Sequence, residues 1–188
     1  LPEALQAQST KLAEGLRNSI TLGVGQFCTK PGLIFGLHSV AFDQFQKVLA
    51  DLLSAVAPAT MLHGRIGEAF HQGLAQASGV SGVKLLARSN AAPDPKQTQG
   101  EVVVLATDVA NFRQHPELAE EVFGPFAVLV FAPSLAELEE VARGLEGQLT
   151  ATVHGTAHDL QQAGHLLQLL ERKAGRLIIN GFPTGVEV

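Results

Sequence analysis

One cysteine stands in this 188-residue chain, in the run Gly25-Gln26-Phe27-Cys28-Thr29-Lys30-Pro31-Gly32. A thiolate is a nucleophile, and a helix end or a nearby positive charge makes more of it at neutral pH. Gly25, Pro31 and Gly32 build an unusual backbone rather than a core, and let a substrate come close to the chain. The competing reading is a small buried side chain, since cysteine packs readily as a hydrophobe. A second segment, Glu120-Glu121-Val122-Phe123-Gly124-Pro125, sets a carboxylate and an aromatic before a Gly-Pro turn. It reads either as a solvated helix end with Phe123 in the core, or as a loop at a ligand crevice. There the carboxylate would accept hydroxyls and the ring would pack on an apolar face. A third segment, Asn180-Gly181-Phe182-Pro183-Thr184-Gly185, follows the last apolar run. In open α/β sheets ligands bind outside the carboxyl ends of strands, which makes that loop a candidate border.

The elements that must hold these segments alternate. Residues 5–22 carry helical spacing through Leu5, Leu12, Leu16 and Ile20 and lead into the cysteine run. Residues 33–37 suit a buried strand. Phe42, Phe45, Val48, Leu49, Leu52, Leu53 and Val56 recur at three and four, which predicts an amphipathic helix stopped by Pro58. A weaker helix spans 66–78, and 89–100 is a surface loop by composition. Strands are predicted at 102–106, 126–131, 149–153 and 177–179. Ser134 and Glu137 stand in a capping arrangement for a helix to about Leu145; Thr156 and Asp159 do the same for one helix over 158–172, ended by Gly175. Several strands are continuously apolar. That favours a three-layer α/β/α fold around a mostly parallel sheet covered on both faces.

Composition narrows the function. With 46% hydrophobic and 16% charged residues the chain is expected to fold. Its 13 Lys and Arg against 18 Asp and Glu leave a net charge of −5, without basic runs, Trp or Tyr, so nucleic-acid binding is not expected. No apolar run reaches the roughly 20 residues of a membrane span. A single cysteine makes no internal disulfide and fits a reducing, cytoplasmic setting. The seven histidines lack metal-binding spacing, and no metal site is expected. The first and last residues read as cut from something larger.

Taken in order, the three segments resemble the aldehyde dehydrogenase superfamily. Gly25-Gln26-Phe27-Cys28 is similar to its G-Q-x-C nucleophile segment, and Glu121-Val122-Phe123-Gly124-Pro125 to its E-x-F-G-P cofactor motif. The stretch His115-Pro116-Glu117-Leu118 also fits. Many members have Asn and Arg where this chain has Gly23 and Leu33. The run from Gly175 to Val188 resembles the ending motif of the branch that acts on α-ketoglutaric semialdehyde (2,5-dioxovalerate) and fatty aldehydes, which commonly accepts NADP.

The resemblance implies that Cys28 attacks an aldehyde or semialdehyde to give a thiohemiacetal. Hydride would pass to NAD or NADP, and water would release the carboxylic acid from the thioester. The Cys28 backbone N–H would be one oxyanion donor. Glu121 would hold hydroxyls of the nicotinamide ribose, Phe123 would pack beside the nicotinamide, and Thr184 and Gly185 would lie near the substrate mouth. It also implies that residues 1–188 are the nucleophile-bearing catalytic domain. The cofactor domain, the base glutamate and the other oxyanion donor would then lie elsewhere in a longer homodimer or homotetramer, and the fragment alone would be inactive. Two other readings stay open: an acylating reductase that passes the thioester to another acceptor, and a non-catalytic assembly module with an unreactive Cys28.

Overall fold

The computed structural model describes residues 1–183. Helix α1 (Pro2–Thr21) opens with proline, whose fixed φ suits a first turn. Leu1 offers no side-chain cap. Asp159 supplies one from across the molecule, its carboxylate accepting the N–H groups of Glu3 (3.2 Å) and Ala4 (2.9 Å). The helix is interrupted at Gln8 (φ −149°) and then buries Leu12, Leu16 and Ile20. A 3₁₀ turn at Leu22–Gly25 leads to the cysteine loop. Strand β1 (Leu33–Leu37) and helix α2 (Val40–Ser54) follow, α2 capped by Ser39, whose Oγ accepts the Phe42 N–H at 3.1 Å. Next come β2 (Ala59–Thr60), α3 (Gly64–Ser78), β3 (Lys84–Arg88), β4 (Gln99–Gly100) and β5 (Val103–Asp108). Then come α4 (Val109–Gln114), a 3₁₀ turn at Pro116–Ala119, β6 (Phe126–Ala132) and α5 (Leu135–Gly144). The last elements are β7 (Gln148–Val153), α6 (Ala157–Gln162), α7 (Gly164–Lys173) and β8 (Ala174–Ile179).

The main sheet runs β1-β6-β5-β3. Its first three strands are parallel, and β3 joins antiparallel with a register shift between Leu85 and Ala87. Strand β6 lies inside, and its alternation serves two cores. Ala127 and Leu129 face the side of α1 and α2, with Phe42, Leu49 and Leu53. Val128 and Val130 face the side of α3 and α5, with Phe70, Leu74 and Leu138. Helices therefore cover both faces, as the continuously apolar strands require. Strands β7 and β8 form a separate parallel pair. A cavity of about 320 Å³ lies between β1 and β7, floored by Leu12 and Leu16 of α1.

Several boundaries differ from the sequence reading. The single helix expected over 158–172 is two, broken at Ala163 (φ −87°, ψ 16°) before Gly164. Gly175 does not end a helix; it lies inside β8. The expected capping pairs are present: Ser134 Oγ accepts the Glu137 N–H, and Thr156 and Asp159 form a reciprocal capping box. Strand β3 and helix α4 were not anticipated. Lys84 and Arg88 bracket a mostly exposed edge strand, and six residues of α4 are too few to show a helical period.

Candidate active site

Gly23, Val24 and Gly25 run consecutively through left-handed backbone (φ 55°, 59° and 66°). For the two glycines that conformation is inexpensive; for Val24 it is strained, at a cost of roughly 1–3 kcal/mol. Local hydrogen bonds hold the strained turn. Gln26 Nε2 donates to the Gly23 carbonyl at 2.9 Å, and Gln26 Oε1 accepts the Leu62 N–H at 2.9 Å. The glutamine of the G-Q-x-C run thus fastens the turn to itself and to the chain after β2. Beyond it the Lys30 N–H donates to the Phe27 carbonyl at 3.1 Å, closing a turn over Cys28 and Thr29. Cys28 sits at the exposed crown of that turn, while Thr29 is buried. The bland alternative of a buried, packed thiol does not describe this cysteine.

The crown is tied to the second segment twice. A Cβ placed on Gly25 would lie 2.3 Å from the carbonyl carbon and oxygen of Gly124 and 2.5 Å from the Pro125 nitrogen. The two backbones therefore touch where any side chain would separate them. Gly124 is itself left-handed (φ 147°), and its Cβ position is filled by the Phe70 ring at 2.4 Å. The second tie is Lys30. Its ammonium donates to the carbonyls of Phe126 (2.7 Å) and Val122 (3.3 Å). Burial pushes the Lys30 ammonium down to about 8, against the opposing pull of the Glu121 carboxylate.

Glu121 is exposed, Val122 buried and Phe123 half-buried, so this segment is a loop rather than a helix end. The carboxylate faces solvent with acceptor oxygens available, and the adjoining backbone has no side chain at Gly124. Those acceptors suit the vicinal hydroxyls of a ribose, and the partly open ring of Phe123 suits a flat apolar partner. The residues present thus fit a nicotinamide nucleotide.

The third segment reaches the same region from β8. Asn180 (φ 55°) clamps the end of β7, its side chain accepting the Gly155 N–H at 2.8 Å and donating to the Gly155 carbonyl at 2.9 Å. Phe182 packs against Gly15 of α1, where a Cβ would fall 2.1 Å from the ring, and lies 4.8 Å from the His154 ring. Phe182 and Pro183 share the wall of the β1–β7 cavity with Cys28 and Lys30; Glu121 and Phe123 do not line it. Thr184 and Gly185 lie outside the described residues. Among the described residues no cluster of three His, Cys, Asp or Glu could hold a metal ion, and no helix is long and apolar enough to cross a membrane. Sequence reasoning passed over Lys30. Its one signal was position, two residues after the cysteine and before a proline.

Curated proteins that match along the whole chain include two semialdehyde dehydrogenases. The chain is 42% identical over 188 residues to the alpha-ketoglutaric semialdehyde dehydrogenase of Acinetobacter baylyi, and 40% identical over 187 residues to alpha-ketoglutaric semialdehyde dehydrogenase 2 of Azospirillum brasilense. Its homologues are aldehyde dehydrogenases. The chain spans about a third of these relatives, 36% and 35% of their lengths. No family model matches it. Among solved aldehyde dehydrogenase structures the fold recurs at low identity. The delta-pyrroline-5-carboxylate dehydrogenase of Mycobacterium tuberculosis superposes with a TM-score of 0.79 at 20% identity, over 96% of this chain and 34% of that one. The succinic semialdehyde dehydrogenase of Streptococcus pyogenes, in complex with NADP+ as the cofactor, gives 0.74 at 20%, over 94% and 39%. The three-layer fold is thus the one found in the matching part of these aldehyde dehydrogenase structures.

Proposed function

We propose that residues 1–188 are the nucleophile-bearing part of an aldehyde dehydrogenase that oxidises α-ketoglutaric semialdehyde, or an aldehyde like it, to the acid. One observation carries the reading. An exposed thiol on a strained, twice-anchored turn is strapped to the loop bearing Glu121 and Phe123, with Gly25 in backbone contact with Gly124 and Pro125. In this account the Cys28 Sγ adds to the aldehyde carbon to give a thiohemiacetal. The Cys28 N–H, which donates to no backbone carbonyl among the described residues, faces the developing oxyanion. Glu121 accepts ribose hydroxyls, and Phe123 packs on the nicotinamide. A bound NAD or NADP supplies the hydride acceptor that lets the thiohemiacetal become a thioester. Thr184 and Gly185 are assigned to the substrate mouth.

The names of the relatives favour a semialdehyde; NADP is the cofactor proposed first, with NAD as the alternative. The working enzyme is proposed to be a cytoplasmic homo-oligomer, in which a further domain supplies the base and the rest of the cofactor site. The 188-residue chain alone is therefore expected to turn over no aldehyde. The test is product analysis with the full-length protein, semialdehyde and NADP. Free acid is expected with wild type and not with Cys28→Ser. A thioester product needing an acceptor thiol would favour the acylating reductase, and equal turnover by Cys28→Ser would refute the reading.

A further inference from the structure

Lys30 is an expensive residue in an unusual place. A lysine head group turned inward like this loses hydration that an apolar methionine, one atom shorter, would not need, as its ammonium's fall to about 8 reflects. The ammonium is nevertheless retained, and its partners are not a carboxylate in close contact but two backbone carbonyls. Those carbonyls are placed informatively. Val122 lies between Glu121 and Phe123, and Phe126 opens β6, which sits inside the main sheet. At its other end Lys30 is two residues from Cys28, in the turn its own N–H closes on Phe27. One cation thus spans three things: the thiol turn, the Glu121–Phe123 loop and the rigid sheet. Glu121 contributes attraction at longer range.

We propose that Lys30 is a positioning residue, which fixes the separation of the Cys28 turn and the Glu121–Phe123 loop by clamping the Val122 and Phe126 carbonyls. The inference rests on the proposed function, because that separation becomes the distance between nucleophile and cofactor. Loss of the clamp frees the two loops to drift. A misplacement of about 1 Å is enough to cost roughly a hundredfold in rate. Lys30 itself touches no reacting atom.

The experiment uses the full-length protein with the semialdehyde and NADP, and expresses kcat per mole of folded protein, measured by circular dichroism, so that unfolded protein does not count. Lys30→Met is expected to lower kcat tenfold or more and to raise the KM for NADP several-fold. Lys30→Arg, which keeps the charge but not the compact three-donor head, is expected to fall between. Lys30→Ala should regain activity with added propylamine, whereas Lys30→Met, whose side chain fills the space, should not. If Lys30→Met fails to fold, the Arg variant and the amine rescue decide. Values of kcat and KM within twofold of wild type for a folded Lys30→Met or Lys30→Arg, or absence of any rescue of Lys30→Ala, would overturn the proposal. Full turnover by Cys28→Ser, run alongside, would instead overturn the catalytic reading and the clamp's role with it.

Discussion

Gly25→Ala tests the junction between the two loops by the smallest possible change. The added methyl meets backbone on its far side, at 2.3 Å from Gly124 and 2.5 Å from Pro125, where ordinary contact begins near 3.4 Å. Neither neighbour can rotate away, since both atoms belong to the main chain. Residue 25 must also keep φ near 66°, which costs an alanine about 1–2 kcal/mol. Relieving the overlap by backbone movement adds about 1–3 kcal/mol, by analogy with overpacked cores. The total, about 2–5 kcal/mol, corresponds to a fall of about 4–20 °C in Tm for a domain of this size. Urea and thermal unfolding by circular dichroism measure it. The control is Gly144→Ala, at the end of α5, where a Cβ meets nothing within 4 Å. It should be neutral or gain up to about 1 kcal/mol from reduced chain entropy. A Gly25→Ala penalty below 1 kcal/mol, or one no larger than the change at Gly144, would refute the claim that the two backbones touch.

Other consequences follow from the same geometry. Asp159→Ala removes the carboxylate that accepts the Glu3, Ala4 and Thr156 N–H groups, and should destabilise the chain by about 2–4 kcal/mol in urea unfolding at pH 7. Burial disfavours the Asp159 anion, but those three donors outweigh it and hold its carboxyl below the usual value. A lowered native pKa means the stabilisation is whole above the unfolded-state pKa and lost as pH falls through the native one. The wild-type advantage over Asp159→Ala should therefore shrink in acid; a gap that is constant from pH 7 to pH 2 would contradict this. Ser134→Ala deletes the cap of α5 and should cost about 1 kcal/mol, measured the same way. Cys28, exposed on its turn, should be alkylated by iodoacetamide in the folded chain; protection until unfolding would show a buried thiol instead.

Much of this was legible in the sequence, for reasons that can be named. Residues 33–37 and 126–131 read as strands because a covered parallel sheet demands unbroken apolar runs. Phe42, Phe45, Leu49 and Leu53 marked α2 because one face of it is core. Ser134 and Thr156 announced their helices through cap chemistry. What stayed hidden depended on tertiary partners. Strand β3 is an edge whose charged flanks disguise it, and the break at Ala163 leaves the apolar period across it intact. The cap of α1 comes from Asp159, more than 150 residues away in the chain. At the candidate site, the motifs singled out Cys28, Glu121 and Phe123. They did not give what binds the segments together: the Gly25–Gly124 contact and the Lys30 clamp join residues about 100 positions apart, which local pattern does not encode.

The most direct test of the account is to catch the intermediate. The full-length protein, mixed with the semialdehyde and NADP, is quenched in acid within one turnover, digested and analysed by mass spectrometry. The account predicts the mass of an acyl group on the peptide containing Cys28, absent without NADP and absent in Cys28→Ser. An acyl group on any other residue, or full turnover with Cys28 never modified, would contradict it.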